Sequence, residues 1–158
     1  VYLTNTKSGA DYCWYLGASE LYRERLGENA ALEIHMLGRT YDERAMVYDE
    51  MRRLIGRRSA LFFSTDFNAV EAIGYLQRRQ ISIPEDISVA GFDDDIYARL
   101  CNPRLTSMSV DVSRKAELAV NMLMRLIDGE EVRESEPKID AVIAERESVM
   151  KVEEGLDY

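Results

Sequence analysis

Histidine and cysteine are scarce in this 158-residue chain, which holds only His35, Cys13 and Cys101. Two cysteines cannot build a disulfide framework, and one histidine with two cysteines argues against a zinc site. Basic residues are also in short supply: 20 Lys and Arg stand against 29 Asp and Glu, for a net charge of −9. A surface that negative repels phosphate, so the chain is not expected to grip nucleic acid by itself. No apolar run approaches the ~20 residues that a membrane helix needs. Catalytic signatures are missing as well. There is no GxGxxG, P-loop lysine or GxSxG, and no serine, histidine and acid set is suggested. Neither an enzyme nor a cofactor is therefore expected. The chain opens at Val1 rather than methionine, with no signal peptide, and reads as a piece excised from a longer protein.

What is present is ordinary globular composition, 46% hydrophobic and 31% charged, patterned as alternating strands and helices. Val1 to Thr4 reads as a strand, Ala10 to Leu26 as a helix stopped by Gly27, and Leu32 to Met36 as a strand. His35 lies within that strand and reads as structural. Tyr41 to Ile55 is helical, with Gly56 as its stop. Ala60-Leu61-Phe62-Phe63 is a continuous apolar run that suits a buried parallel strand. Asp66 follows where a helix N-cap belongs, and Ala69, Val70, Ile73 and Leu76 continue at helical spacing. Ile81 to Asp86 is a loop, and Ile87 to Phe92 a strand whose end Gly91 allows to turn sharply. Leu105 to Val110 is extended. Asp111 or Ser113 caps a helix that runs to Asp128 and closes at Gly129. Ile139 to Val152 alternates enough for one or two strands. Repeated βα units with short loops predict an α/β parallel sheet.

One helix is apolar on most sides. Between Ala116 and Ile127, nine residues are apolar and cover well over half the circumference. Such a helix wants burial on most sides. It is either a central core helix or one whose natural neighbours lie in sequence not present here.

Several residues are candidates for chemistry. Asp93-Asp94-Asp95 follows Gly91-Phe92 at the carboxyl end of a predicted strand, where open α/β sheets bind ligands. Three readings fit it: a solvated acidic loop with capping duties, a divalent metal site lacking a second ligand set, or a carboxylate accepting hydrogen bonds from ligand hydroxyls. Thr65 ends another predicted strand and can face the same cleft. Tyr12, Trp14 and Tyr15 are either packing residues or a stacking platform for a sugar or base. Cys13 and Cys101 have no activating partner and read as inert.

Three stretches in order resemble the LacI/GalR family of bacterial transcriptional regulators: Ala60-Leu61-Phe62-Phe63-Ser64-Thr65-Asp66-Phe67-Asn68-Ala69, Ile83-Pro84-Glu85-Asp86-Ile87-Ser88-Val89-Ala90-Gly91-Phe92-Asp93-Asp94, and Asn102-Pro103-Arg104-Leu105-Thr106-Ser107. The closing Ala144-Glu145-Arg146-Glu147-Ser148 is similar to that family's terminal region. The resemblance implies a three-layer α/β sandwich, the C-terminal lobe of a two-lobed periplasmic-binding-protein-like type I fold. Residues 1–110 and 138–152 would form that lobe. The helix over 111–129 would belong to an otherwise missing N-terminal lobe, and the DNA-binding helix-turn-helix would lie outside the chain. Without its lobe, that helix is expected to pack on the C-terminal lobe in a way the family does not use, or on a second chain.

The resemblance also implies roles. Ser8, Trp14, Tyr41, Thr65 and Asp93 match effector-contacting positions, and Val70 and Cys101 match a dimer surface. The main departure is at Trp14, three residues before Gly17, where the family commonly has arginine. Losing that fork of donors weakens the case for a usual sugar or anionic effector and favours a ligand stacked on an aromatic ring. By resemblance the chain senses a sugar or related polar metabolite as part of a cytoplasmic, dimeric, operator-binding protein. An exported sugar-binding protein of a transport system is the alternative.

Overall fold

Six strands make one sheet: β1 (Tyr2–Thr4), β2 (Ile34–Met36), β3 (Ala60–Phe63), β4 (Ser88–Phe92), β5 (Thr106–Val110) and β6 (Ala141–Ala144). Their order is β2-β1-β3-β4-β5-β6 in a computed structural model that describes residues 2–4, 9–27, 32–55, 60–131 and 139–151. The first five strands are parallel, as expected from the βα repeats. β6 departs from that expectation and runs antiparallel to β5. Parallel neighbours need a crossover packed on the sheet, whereas the helix before β6 does not lie on it.

The helices are α1 (Gly9–Leu26), α2 (Tyr41–Met51), α3 (Asp66–Gln77), α4 (Ile96–Leu100) and α5 (Val112–Ile127). α2 begins on a full capping box, Thr40 with Glu43, and ends in a 3-10 turn at Arg52–Leu54. Gly27 and Gly129 follow their helices at φ +95° and +82°, the left-handed stops the sequence suggests. Gly56 lies outside the described residues. α4 has no counterpart in the sequence reading. Its mark is Asp95, whose side chain accepts from the amides of Tyr97 and Ala98.

The core lies between one sheet face and α2, α3 and α4. Leu61, Phe63 and Val89 point into it from the strands, Tyr48 and Met51 from α2, and Ala69, Ala72, Ile73 and Leu76 from α3. Ile81, Ile83 and Ile87 close its lower edge from the loop before β4. The helices are locked by Arg44, which meets Glu71 in a two-pronged pair at 2.6 and 2.7 Å, while the Tyr48 hydroxyl donates to Glu71 at 2.9 Å. The Arg44 hydrogen bonds hold the Glu71 carboxyl below its ordinary range.

Phe62 and Ala90 sit on the opposite face, since neighbouring strand residues alternate sides. They are only half-buried, so β3 is not enclosed on both faces as its apolar run suggests. α1 covers that face thinly. Ser19 is the one fully buried side chain among those described on it, and a trough of about 400 Å³ beside Phe62, Ala90, Met108 and Ile143 stays open.

The return segment after β6 is clasped by Ser148, which is fully buried. Its hydroxyl accepts from the Thr106 amide at 2.8 Å and donates to the Val89 carbonyl at 2.6 Å, so one side chain bridges β4 and β5. α5 starts as expected on Asp111, which accepts from the Arg114 amide at 2.9 Å. It does not pack on its own sheet. None of its residues is buried, and Val112, Leu123 and Ile127 are 68%, 56% and 67% exposed.

Candidate functional site

The carboxyl ends of β3 and β4, and Ser107 near the start of β5, converge on one fully buried carboxylate, Asp66. The sequence suggests Asp66 as the cap of α3. The cap is instead Thr65, whose Oγ1 accepts from the Asn68 amide at 3.4 Å and from Asn68 Nδ2 at 2.8 Å. Shifted one place inward, Asp66 accepts from the Ser107 hydroxyl at 2.7 Å and from the Asp95 amide at 2.9 Å. Burial pushes its carboxyl up to about 6 against the pull of those two hydrogen bonds, and the charges of Asp95 and Asp93 add to the rise.

Gly91 makes room for it. The expected role, easing a sharp turn, is not the one observed. Gly91 lies inside β4, where an added Cβ would meet the Asp66 carboxylate and come within 2.8 Å of Leu105 Cδ2. The turn falls on Asp93 and Asp94, at φ +107° and +49°. Asp94 is held by Arg146 and by Arg99 at 2.8 Å. Burial opposes this, yet the two guanidiniums keep the Asp94 carboxyl below its ordinary range. Asp93 is exposed; desolvation and the charge of Asp95 raise its carboxyl, and Lys115 pulls it back. The acidic triplet thus divides its labour: Asp94 is an ion-pair anchor, Asp95 caps α4, and Asp93 faces outward.

Trp14 reaches the same end of β4. Its ring lies 3.7 Å, centroid to centroid, from that of Phe92, the residue before Asp93. Thr65 and Asp93 lie just past the ends of the neighbouring strands β3 and β4. Trp14, Thr65 and Asp93 are therefore placed by the carboxyl ends of β3 and β4. Tyr41 is not. It is half-exposed, and its hydroxyl accepts from Arg78 at 2.9 Å. Arg78 ends the helix that Thr65 begins, about 18 Å away for twelve residues. Ser8 lies outside the described residues.

Val70 and Cys101 are half-buried and pack against the core. The Cys101 thiol donates to the Pro103 carbonyl at 3.2 Å, and burial raises it, which fits an inert cysteine. Beside these two residues, α3 and α4 expose Phe67, Ile96, Tyr97 and Leu100, with Phe67 and Tyr97 packed edge to face at 6.0 Å. His35 is half-buried on β2, with Nε2 3.3 Å from Glu33. Among the described residues no three His, Cys, Asp or Glu side chains converge where they could hold a metal ion. Sequence reasoning missed Ser107 and Arg146. The only signal for either is its place in a family-like stretch.

A family model for the periplasmic binding protein-like domain matches residues 5–149. The chain belongs to that family. Within it, the ribose operon repressor of Escherichia coli K12 is 29% identical over 104 residues, which cover 64% of this chain and 32% of that protein. Among solved structures, the Escherichia coli transcriptional repressor AscG superposes with a TM-score of 0.73 at 26% identity, covering 96% of this chain and 55% of that one. A sugar-binding LacI-family regulator from Escherichia coli, solved with phosphate, does so with a TM-score of 0.74 at 26% identity, covering 95% and 54%. The chain spans about a third to a half of these relatives, which are transcriptional regulators rather than enzymes. This periplasmic-binding-protein-like domain thus carries the resemblance to LacI-family regulators that its PEDISVAGFDD and PRLTS stretches suggest. Among the described residues no helix is long and apolar enough to cross a membrane.

Proposed function

We propose that this chain is the effector-sensing part of a cytoplasmic LacI-family transcriptional regulator. The observation that carries the reading is the packing of Trp14 on Phe92, the residue before Asp93, with Thr65 just past the end of the neighbouring strand, where open α/β sheets take ligands. Asp93 offers an outward carboxylate to ligand hydroxyls, and Trp14 offers a ring face. Arg99 and Arg146, the arginines bound to the turn, are both engaged by Asp94. The site therefore suits an uncharged polar ring better than an anion.

In this reading residues 1–110 and 138–152 are one lobe, and the helix over 111–129 belongs to a second. The exposed apolar stripe of α5 is the surface that the second lobe covers. Effector in the cleft draws the lobes together. In a dimer, formed on the α3–α4 face around Val70, Cys101 and Leu100, closure resets the spacing of two DNA-binding heads on their half-sites. The regulator names carried by the relatives favour this over an exported transport component.

Trp14 is the single tryptophan and so reports on its own site. The test is a fluorescence titration of the 158-residue chain with D-ribose, cellobiose and their phosphorylated counterparts. A saturable change with a neutral sugar, abolished by Asp93→Ala, is expected. Silence across the panel, or a preference for the phosphates, counts against the site. Reading the coding sequence upstream of Val1 separates the regulator from the transport component. A helix-turn-helix supports the first, and a signal peptide the second.

A further inference from the structure

The turn at Asp93–Asp95 adopts a backbone that its own residues do not favour. Asp93 and Asp94 both have positive φ, which L side chains rarely adopt and which persists only where the surroundings over-determine it. The surroundings do so here. The amides of Asp93, Asp94 and Asp95 donate in succession to the Met108 carbonyl at 2.8 Å, the Ser107 hydroxyl at 3.1 Å and the Asp66 carboxylate at 2.9 Å. The Asp94 side chain is then gripped by two arginines of unequal standing. Arg99 comes from the adjoining helix, and its side chain is 58% exposed, so water screens its pair. Arg146 arrives from the segment after β6, and in its pair both side chains are only 14% exposed. It is itself fixed before it reaches Asp94: Nη1 donates to the Leu105 carbonyl at 2.6 Å, and its amide donates to Thr106 Oγ1 at 2.9 Å.

We propose that Arg146 is a positioning residue for the effector site, holding Asp94 in its left-handed conformation so that the Asp93 carboxylate projects from the end of β4. This rests on the reading of Asp93 as an effector contact and extends it. Because Arg146 belongs to the return segment, it ties the ligand-facing turn to β6, and movement of one is felt by the other.

The test is amide hydrogen exchange by NMR on the 158-residue chain without ligand. Arg146→Ala and Asp94→Asn are expected to speed exchange at Asp93, Asp94 and Asp95 by roughly tenfold or more beyond any change in β3 and β4. Arg146→Lys should recover part of the protection. Arg104→Ala removes the exposed Arg104–Glu147 pair at the same segment and should leave the three amides alone. Unchanged protection in Arg146→Ala overturns the proposal. So does a loss shared equally by β3 and β4, or one reproduced by Arg104→Ala. No ligand enters the measurement, so a failed sugar titration beside a local loss would refute the effector reading and leave only the hold of Arg146 on the turn.

Discussion

Raising the pH from roughly 4 to 7 is expected to remove about 3 kcal/mol of stability through Asp66 alone, from the displacement of its carboxyl from 3.8 to about 6. The sign follows from which state holds the proton more tightly. The folded chain does, so the contribution is complete below 3.8 and is lost as the pH rises through about 6. The protonated acid suits the site. Its hydroxyl can donate to Ser107 Oγ while Ser107 turns its own hydrogen toward the Met108 carbonyl at 3.4 Å, and the other oxygen keeps the Asp95 amide. Asp66→Asn reproduces that pattern without a charge to desolvate. Urea unfolding followed by circular dichroism, at several pH values for both proteins, isolates the term, because carboxylates not coupled to Asp66 cancel in the difference. The two should be within about 1 kcal/mol at the acid end, with the variant ahead by about 3 kcal/mol at neutral pH. A difference that stays flat, or a wild-type protein that gains on the variant as pH rises, refutes the reasoning.

Three further outcomes are expected. Glu71→Ala strands the Arg44 guanidinium and the Tyr48 hydroxyl between α2 and α3 and should cost about 3–5 kcal/mol, while Arg44→Met with Glu71→Leu should recover most of it in a double-mutant cycle. Gly91→Ala forces a methyl group against Asp66 and Leu105 and should lower stability by about 1–3 kcal/mol in thermal unfolding. Ser148→Ala leaves the Thr106 amide buried without its acceptor; about 1–3 kcal/mol should be lost in urea unfolding, and a neutral result would deny the clasp.

Long periodic stretches such as 60–76 and 111–129 declare themselves in the sequence, because burial on one side repeats often enough to be counted. α4 does not: five residues complete barely more than one turn. Thr65 and Asp66 are both good caps, and what assigns them opposite jobs is the space left by Gly91 on a strand that follows much later. Trp14 and Asp93 are widely separated in sequence, as are Arg146 and Asp94, and no local pattern joins either pair. The first pair was foreshadowed by family resemblance alone, the second by nothing more specific than a family-like closing stretch. Tyr41 shows the limit of such transfer, since its position matches while its hydroxyl is engaged by Arg78 at the far end of α3.

The antiparallel pairing of β5 with β6 places Val110 opposite Ala141, where the chain leaves the sheet and where it comes back. Everything between, α5 included, is topologically the loop of a β-hairpin. A two-residue Asn-Gly turn could join the strands in the same register, since such turns match the twist of antiparallel neighbours. Among the described residues, the excursion thus joins the six-stranded sheet through one hairpin. Whatever α5 carries could be lengthened, exchanged or removed without redrawing the order of a single strand.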